Sequence, residues 1–310
     1  MVFKDSVYSE STLYAFMKSI FTPALRPAFN KVIKSIFYNF FFCQYKNKLL
    51  SGRLPKTQVD HALDEKIPFT PSWVSIYIDF TQFWIRLLSF FIRHYGRKAF
   101  IPIRDFIYSM GDLYEYAAAV YRKNLSTTKR PFYIARPRFF MIHLLDPHLF
   151  CIPSLHVMVV IRAYTMFSVI AKQMGDEQKL KEQALEMKAG ALAISQAILF
   201  VKQHSVNCIP AALYAMTNFC GDLFPPDEAE NFTSLLFSDY KAKGADTPKS
   251  CRVHPGASPK IELSEPDKER IKKHILKLYY AFLEEQKTSK SWEDPLLNFL
   301  SRGAKLYQEQ

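Results

Sequence analysis

The run Pro153-Ser154-Leu155-His156, followed by Lys202-Gln203-His204, sets two histidines into stretches that otherwise read as apolar helices. Pro153 is expected to open a helix, with Ser154 in its first turn. Backbone N–H groups there are unpaired and face any bound anion. His156 follows about one turn in. A second helix is read over 182–206, carrying Lys202 and His204, and Pro210 should kink or end it. Two histidines and a few cations suffice for phosphoryl transfer without a metal. One imidazole attacks phosphorus, the other protonates the leaving oxygen, and cations hold the non-bridging oxygens. The plainer role for each is a structural histidine satisfied within an apolar core.

The cations lie upstream, in a basic stretch at 122–140. Lys123 and Arg130-Pro131 stand in the spacing K-x6-R-P, and so do Lys129 and Arg136-Pro137. Arginine grips phosphate with paired hydrogen bonds and lysine supplies a point charge. The Lys129/Arg136 pair is favoured because its arginine lies nearer the Pro-Ser step; Lys123/Arg130 stays open. Ser154 adds a hydroxyl donor and Lys202 a further cation.

Together these pieces resemble the type 2 phosphatidic acid phosphatase superfamily, whose signature runs K-x6-R-P, P-S-x-H, then S-R-x5-H-x3-D. The leucine at 155, the stretch from Asp146 to Ile152, and Ile67-Pro68-Phe69-Thr70-Pro71-Ser72-Trp73 are similar to the branch that includes inositol phosphorylceramide synthases. The resemblance covers roughly residues 60–220. It implies an all-α bundle of the phosphatidic acid phosphatase/haloperoxidase type, here with polar flanking helices. It also implies a metal-independent lipid phosphatase or phosphotransferase working without a cofactor, with His204 as nucleophile and His156 as acid. Lys129, Arg136, Ser154, Lys202, Lys123 and Arg130 are then the candidate phosphate ligands.

The chain departs from that signature twice. Counting back from His204, the Ser-Arg pair falls on Ala197-Ile198, which removes a phosphate ligand that Lys202 would partly replace. The closing aspartate falls on Cys208. A thiol is a weak acceptor and usually neutral, so the group that orients and charges the nucleophilic imidazole is lost. A catalytically impaired relative that binds phosphorylated lipid or serves structurally is therefore the alternative reading. A soluble helical phosphatase is a third.

Composition agrees with a helical protein on an anionic partner. Of 310 residues 49% are hydrophobic, only 9 are glycine, and the net charge is +12. The basic residues are dispersed and no nucleic-acid module is present, so an anionic membrane surface is expected rather than nucleic acid. Residues 1–10 carry Lys4, Asp5 and Glu10 with no apolar run, unlike a signal peptide. Trp73–Ile92, Pro153–Ala171 and Ala189–Val201 are candidate spans, yet a mean hydropathy of −0.09 is low for a multi-span core. The expectation is membrane association, through a few spans or peripherally. Cys43, Cys151, Cys208, Cys220 and Cys251 form no CxxC pair and read as free thiols. His143, His148 and His156 have no partner at recognised zinc spacing.

Three segments are expected: amphipathic helices over 1–60, a phosphatase-like core over 61–225, and a polar linker with a C-terminal amphipathic helix over 226–310. Ile20–Phe42 pairs basic with bulky aromatic residues, as an interfacial helix does. Helices are read from Trp73 to Tyr95 and from Phe106 to Tyr121, and 46–66 and 240–263 as linkers. Ser264 and Asp267 form a capping box ahead of apolar Ile271, Ile275, Leu278, Tyr279 and Phe282.

Overall fold

The computed structural model describes residues 6–49, 54–238 and 261–302, and the fold is all-α. The helices are α1 (Thr12–Phe21), α2 (Arg26–Ser35), α3 (Cys43–Leu49), α4 (Val74–Tyr77), α5 (Phe80–Tyr95), α6 (Phe100–Tyr121), α7 (Pro137–Leu145), α8 (Leu155–Gln173), α9 (Lys181–Phe200), α10 (Cys208–Cys220), α11 (Pro226–Leu235), α12 (Glu265–Gln286) and α13 (Asp294–Arg302). A π-helical segment, Ile36–Phe42, joins α2 to α3. Two three-residue strands, β1 (Lys56–Gln58) and β2 (Leu125–Thr127), pair in parallel with Lys56 opposite Leu125.

α8 is the hub. It packs against α5, α6, α9 and α10, so most of its circumference is apolar and buried, from Val157 through Phe167 to Ala171. It is long and apolar enough to cross a membrane, but 72% of its apolar window is already covered by protein. Of the other two stretches read as spans, the one at Trp73–Ile92 breaks at Asp79 into α4 and α5, and the one at Ala189–Val201 lies within α9. Asp79 turns back to take a two-pronged ion pair from Arg86, at 2.8 and 2.7 Å, with both side chains largely buried.

The flanks share one continuous core with the centre, which runs from Val7 to Leu300. α1 lies on α5 and α2 on α6. α2 approaches α6 so closely that a Cβ at Gly111 would stand 3.4 Å from the Val32 Cα. At Gly190 a Cβ would lie 2.6 Å from the Phe83 ring, so only glycine leaves room there. Glu186, one turn earlier, receives the Val7 N–H at 2.9 Å and the Ser6 hydroxyl. The Ser264 hydroxyl caps α12 by accepting from the Asp267 N–H at 3.2 Å. The face Ile271, Ile275, Leu278, Tyr279 and Phe282 is buried, with α12 packed on α10. Most of the stretch read as a linker at 240–263 lies outside the described residues.

Two expected boundaries are corrected. α8 starts at Leu155 with Ser154 as its cap residue, rather than at Pro153. The helix read over 182–206 stops at Phe200, and Lys202 and His204 sit in the turn that follows. Pro210 is accommodated in the first turn of α10, where a missing N–H costs nothing.

Candidate functional site

The turn after α9 brings the second histidine inward. Lys202 adopts a left-handed backbone, φ 53°. Its N–H bonds the Leu199 carbonyl at 3.0 Å and the Gln203 N–H bonds that of Ile198 at 3.0 Å. This is a Schellman ending with lysine where glycine is usual. The same turn is held from outside by Asp64, whose carboxylate accepts from the Val206 N–H at 2.8 Å and whose carbonyl accepts from the Lys202 ammonium. From the C-terminal side, His274 on α12 meets the Asn207 side chain at 2.7 Å.

His204 faces His156 from the start of α8, their ring centroids 5.2 Å apart. His156 stacks on Tyr77 at 4.6 Å and lies tilted against Phe80 at 4.1 Å. Burial, reinforced by His204, holds His156 well below the usual imidazole range, so it is neutral at neutral pH. Burial and the nearby cation of His148 bring His204 down to about 3. The His204 ring hydrogen-bonds the Cys151 backbone carbonyl, which favours its proton, while its Nδ1 has no partner. A carbonyl at one nitrogen fixes the tautomer and leaves a lone pair on the other. The Ser154 Oγ is likewise buried without a partner, and it does not cap α8. Leaving such a group unmet costs on the order of 1–3 kcal/mol, so both atoms suit an incoming polar ligand.

Arg130 is the cation that reaches this place. It donates to the Gln203 side chain at 3.1 Å and to the Asp146 carbonyl at 3.4 Å, and lies 3.6 Å from the Asp146 carboxylate. The pair favoured on spacing, Lys129 and Arg136, lies elsewhere. Arg136 is exposed ahead of α7, reaching the Pro71 carbonyl at 3.4 Å. Lys129 is exposed, held through its backbone N–H by Asp60 at 2.9 Å. Lys123 pairs with Glu293, and Lys202 turns toward Asp64. The structure therefore brings His156 against His204, sets Arg130 on Gln203 next to His204, and buries Ser154 two residues before His156. It leaves Lys123, Lys129, Arg136 and Lys202 around the periphery.

The reason is a piece of sheet that three residues could not announce. β2 is bridged at Ser126 to Phe150, the Ser126 carbonyl accepting from the Cys151 N–H at 3.2 Å. The Ser126 Oγ accepts from the Ile152 N–H at 2.8 Å. This ties the basic stretch beside the approach to α8 and delivers Arg130 to Asp146.

A second cluster underlies the pair of histidines. The His148 N–H donates to the Asp146 carboxylate at 2.9 Å, and that carboxylate stands 3.6 Å from Nδ1. On the far side its Nε2 meets the Thr128 hydroxyl at 2.9 Å and the Cys151 Sγ at 3.6 Å. Burial opposes charge on His148, but Cys151 and Asp146 outweigh it and raise the imidazole to about 9. Burial also opposes ionisation of Cys151, yet hydrogen bonding from Cys208 and the His148 cation bring its thiol down to about 6. Burial, then the bond to Cys151, pushes Cys208 up. Burial works against the Asp146 carboxylate too, but its bonds to His148 and the Arg130 charge hold it well below the usual carboxylate range. Cys208, at the position where the signature has aspartate, thus serves Cys151 rather than His204. Among the described residues no group of three or more histidines, cysteines and carboxylates is arranged to hold a metal ion. Sequence spacing offered one signal for this cluster: Asp146, His148 and Cys151 fall within six residues immediately before Pro153.

No family model, no curated protein and no solved structure matches the chain.

Proposed function

We propose that this protein is a metal-independent lipid phosphatase or phosphotransferase acting through a phosphohistidine. The observation that carries the reading is the pair of neutral imidazoles, half-buried His156 and buried His204, 5.2 Å apart, with Arg130 bonded to neighbouring Gln203 and the unpartnered Ser154 hydroxyl two residues before His156. A phosphate monoester with its phosphorus against His204 is attacked by the unprotonated nitrogen. The N–P bond forms as the P–O bond to the lipid breaks, and the departing oxygen takes a proton from His156. Neutral His156 acquires that proton from the substrate monoanion, since phosphate esters lose their second proton near pH 6. His156 then removes a proton from water or an alcohol, which attacks phosphorus and frees His204. Arg130 and Ser154 donate to the non-bridging oxygens throughout. The dispersed positive charge and the apolar outer face of α1 and the π-helical segment favour a peripheral seat on an anionic membrane.

One observation favours the impaired alternative, a relative that binds phosphorylated lipid with little turnover. The His204 ring leans on an uncharged carbonyl, and Cys208 supplies no counter-charge to the imidazolium formed on attack. Phosphate release from phosphatidic acid and related lipids, measured in excess chelator, separates the two. Turnover abolished by His204→Ala supports the enzyme. Tight vanadate binding without turnover, with turnover gained by Cys208→Asp, supports the impaired relative. Neither turnover nor vanadate binding by folded protein rejects both.

A further inference from the structure

A cavity of about 190 Å³ lies between α1, α2, the π-helical segment, α5 and the start of α8. Its walls are almost wholly hydrocarbon: Phe16, Phe29, Phe40, Trp84, Ile85 and Leu88 among them. Ile33 and Phe41 at its border are 42% and 44% exposed, so it opens to the surface there. The same two wall elements, α1 and the π-helical segment, also expose Leu13, Met17, Phe21, Phe37, Tyr38 and Phe42. At the other end the wall is Leu155 and His156. His156 is therefore shared: it lines the cavity and also faces His204. An apolar slot running from an exposed apolar surface to a phosphate-type site has the layout of a single amphiphile with its hydrocarbon inside and its anionic head at the histidines.

We propose that this cavity holds one hydrocarbon chain of the phosphorylated lipid whose head group sits at His156 and His204. The proposal rests on the reading of those histidines as a phosphate site. Two features select this occupant over another apolar partner. The slot reaches His156, the polar side chain in its wall that faces His204, so a head group meeting the two imidazoles can carry its hydrocarbon into the slot. Its mouth belongs to helices whose exposed aromatics stand beside Lys18, Lys31 and Lys34, the composition that suits an anionic bilayer surface. α1, α2 and the π-helical segment lie outside residues 60–220, so these walls belong to the chain's own N-terminal part.

The test is a binding series on the full chain with n-alkyl phosphates from butyl to dodecyl, each below its micelle concentration, alongside the matching alcohols and inorganic phosphate. Burial of each further methylene should tighten binding by about fourfold until the slot is full. Ala15→Phe, which projects a ring into the slot, should weaken dodecyl phosphate by tenfold or more and leave butyl phosphate unchanged. Ser19→Leu is a second such variant, and circular dichroism verifies that each remains helical. Affinity that does not change with chain length overturns the proposal in the natural protein alone, whatever the variants do. Chain-length dependence that is equal for alcohols and phosphates keeps the slot and rejects the phosphate site. Binding of inorganic phosphate with no contribution from the chain does the reverse.

Discussion

Burying neutral imidazoles makes this fold sensitive to acid in a calculable way. Free histidine titrates near pH 6.5. His204 and His274 are both brought down to about 3, chiefly by burial, the latter with help from its stacked neighbour His61. Below pH 6.5 the unfolded chain takes up a proton at each position and the folded chain does not, so stability falls as pH falls, until the folded values are reached. At pH 5 the gap is roughly 1.5 pH units, or about 2 kcal/mol for each residue and about 4 kcal/mol for the two. His156 shifts in the same direction and adds to the loss. Cys151 does too, because its depressed thiol gives up its stabilisation as pH drops through about 6. Burial raises the carboxyls of Asp64 and Glu186, which oppose the loss where they titrate. His148 has the opposite sign: raised to about 9, it stabilises fully below pH 6.5 and loses that contribution as pH rises through 9. Urea unfolding followed by tryptophan fluorescence should show highest stability around neutral pH and a loss of several kcal/mol by pH 5. His274→Gln should reduce that loss by about 2 kcal/mol. A natural protein whose unfolding free energy changes by less than about 1 kcal/mol between pH 7.5 and 5 refutes the assignment of buried, uncharged imidazoles.

Three further expectations follow from single contacts. Arg86→Ala leaves the buried Asp79 carboxylate without its guanidinium and should cost about 3–5 kcal/mol in denaturant unfolding. Gly190→Ala drives a methyl into the Phe83 ring and the Tyr8 hydroxyl, and should lower stability by about 1–3 kcal/mol, read from the same curves. Arg130→Ala should weaken vanadate binding about a hundredfold, whereas Arg136→Ala, at an exposed arginine, should stay within about twofold; equal effects would return the phosphate-binding role to the pair Lys129 and Arg136.

The helical class was legible because the apolar runs and scarce glycine leave little else, and the cap at Ser264 was legible because its chemistry is local. The convergence of His156 and His204 followed from the order of the motif pieces. What failed was long-range or against type. Lys202 takes a left-handed turn usually given to glycine, so the end of α9 was invisible in its sequence. Distance along the chain favours Arg136, whereas the bridge from Ser126 to Phe150 is what sets Arg130 beside Asp146 and Gln203. In the sequence Asp146 only opens the stretch to Ile152, His148 is a histidine without a partner at zinc spacing, and Cys151 is a free thiol. Their cooperation depends on the backbone of His148, at φ 59°, a conformation that composition does not announce. The cavity is made by α1, α2 and the π-helical segment against α5 and α8, a tertiary product that periodicity alone describes only as amphipathic.

Phosphorylation of His204 during turnover is the point on which the chemistry stands. The natural protein is mixed with phosphatidic acid carrying a radiolabelled phosphate, in chelator, and quenched in alkali, which preserves phosphohistidine. The modified peptide is then located by mass spectrometry. Expected is an acid-labile phosphoryl group on the peptide containing His204, accumulating when His156→Ala slows its hydrolysis and absent in His204→Ala. Label on another residue, or phosphate release undiminished by His204→Ala, contradicts the assignment of His204 as the nucleophile.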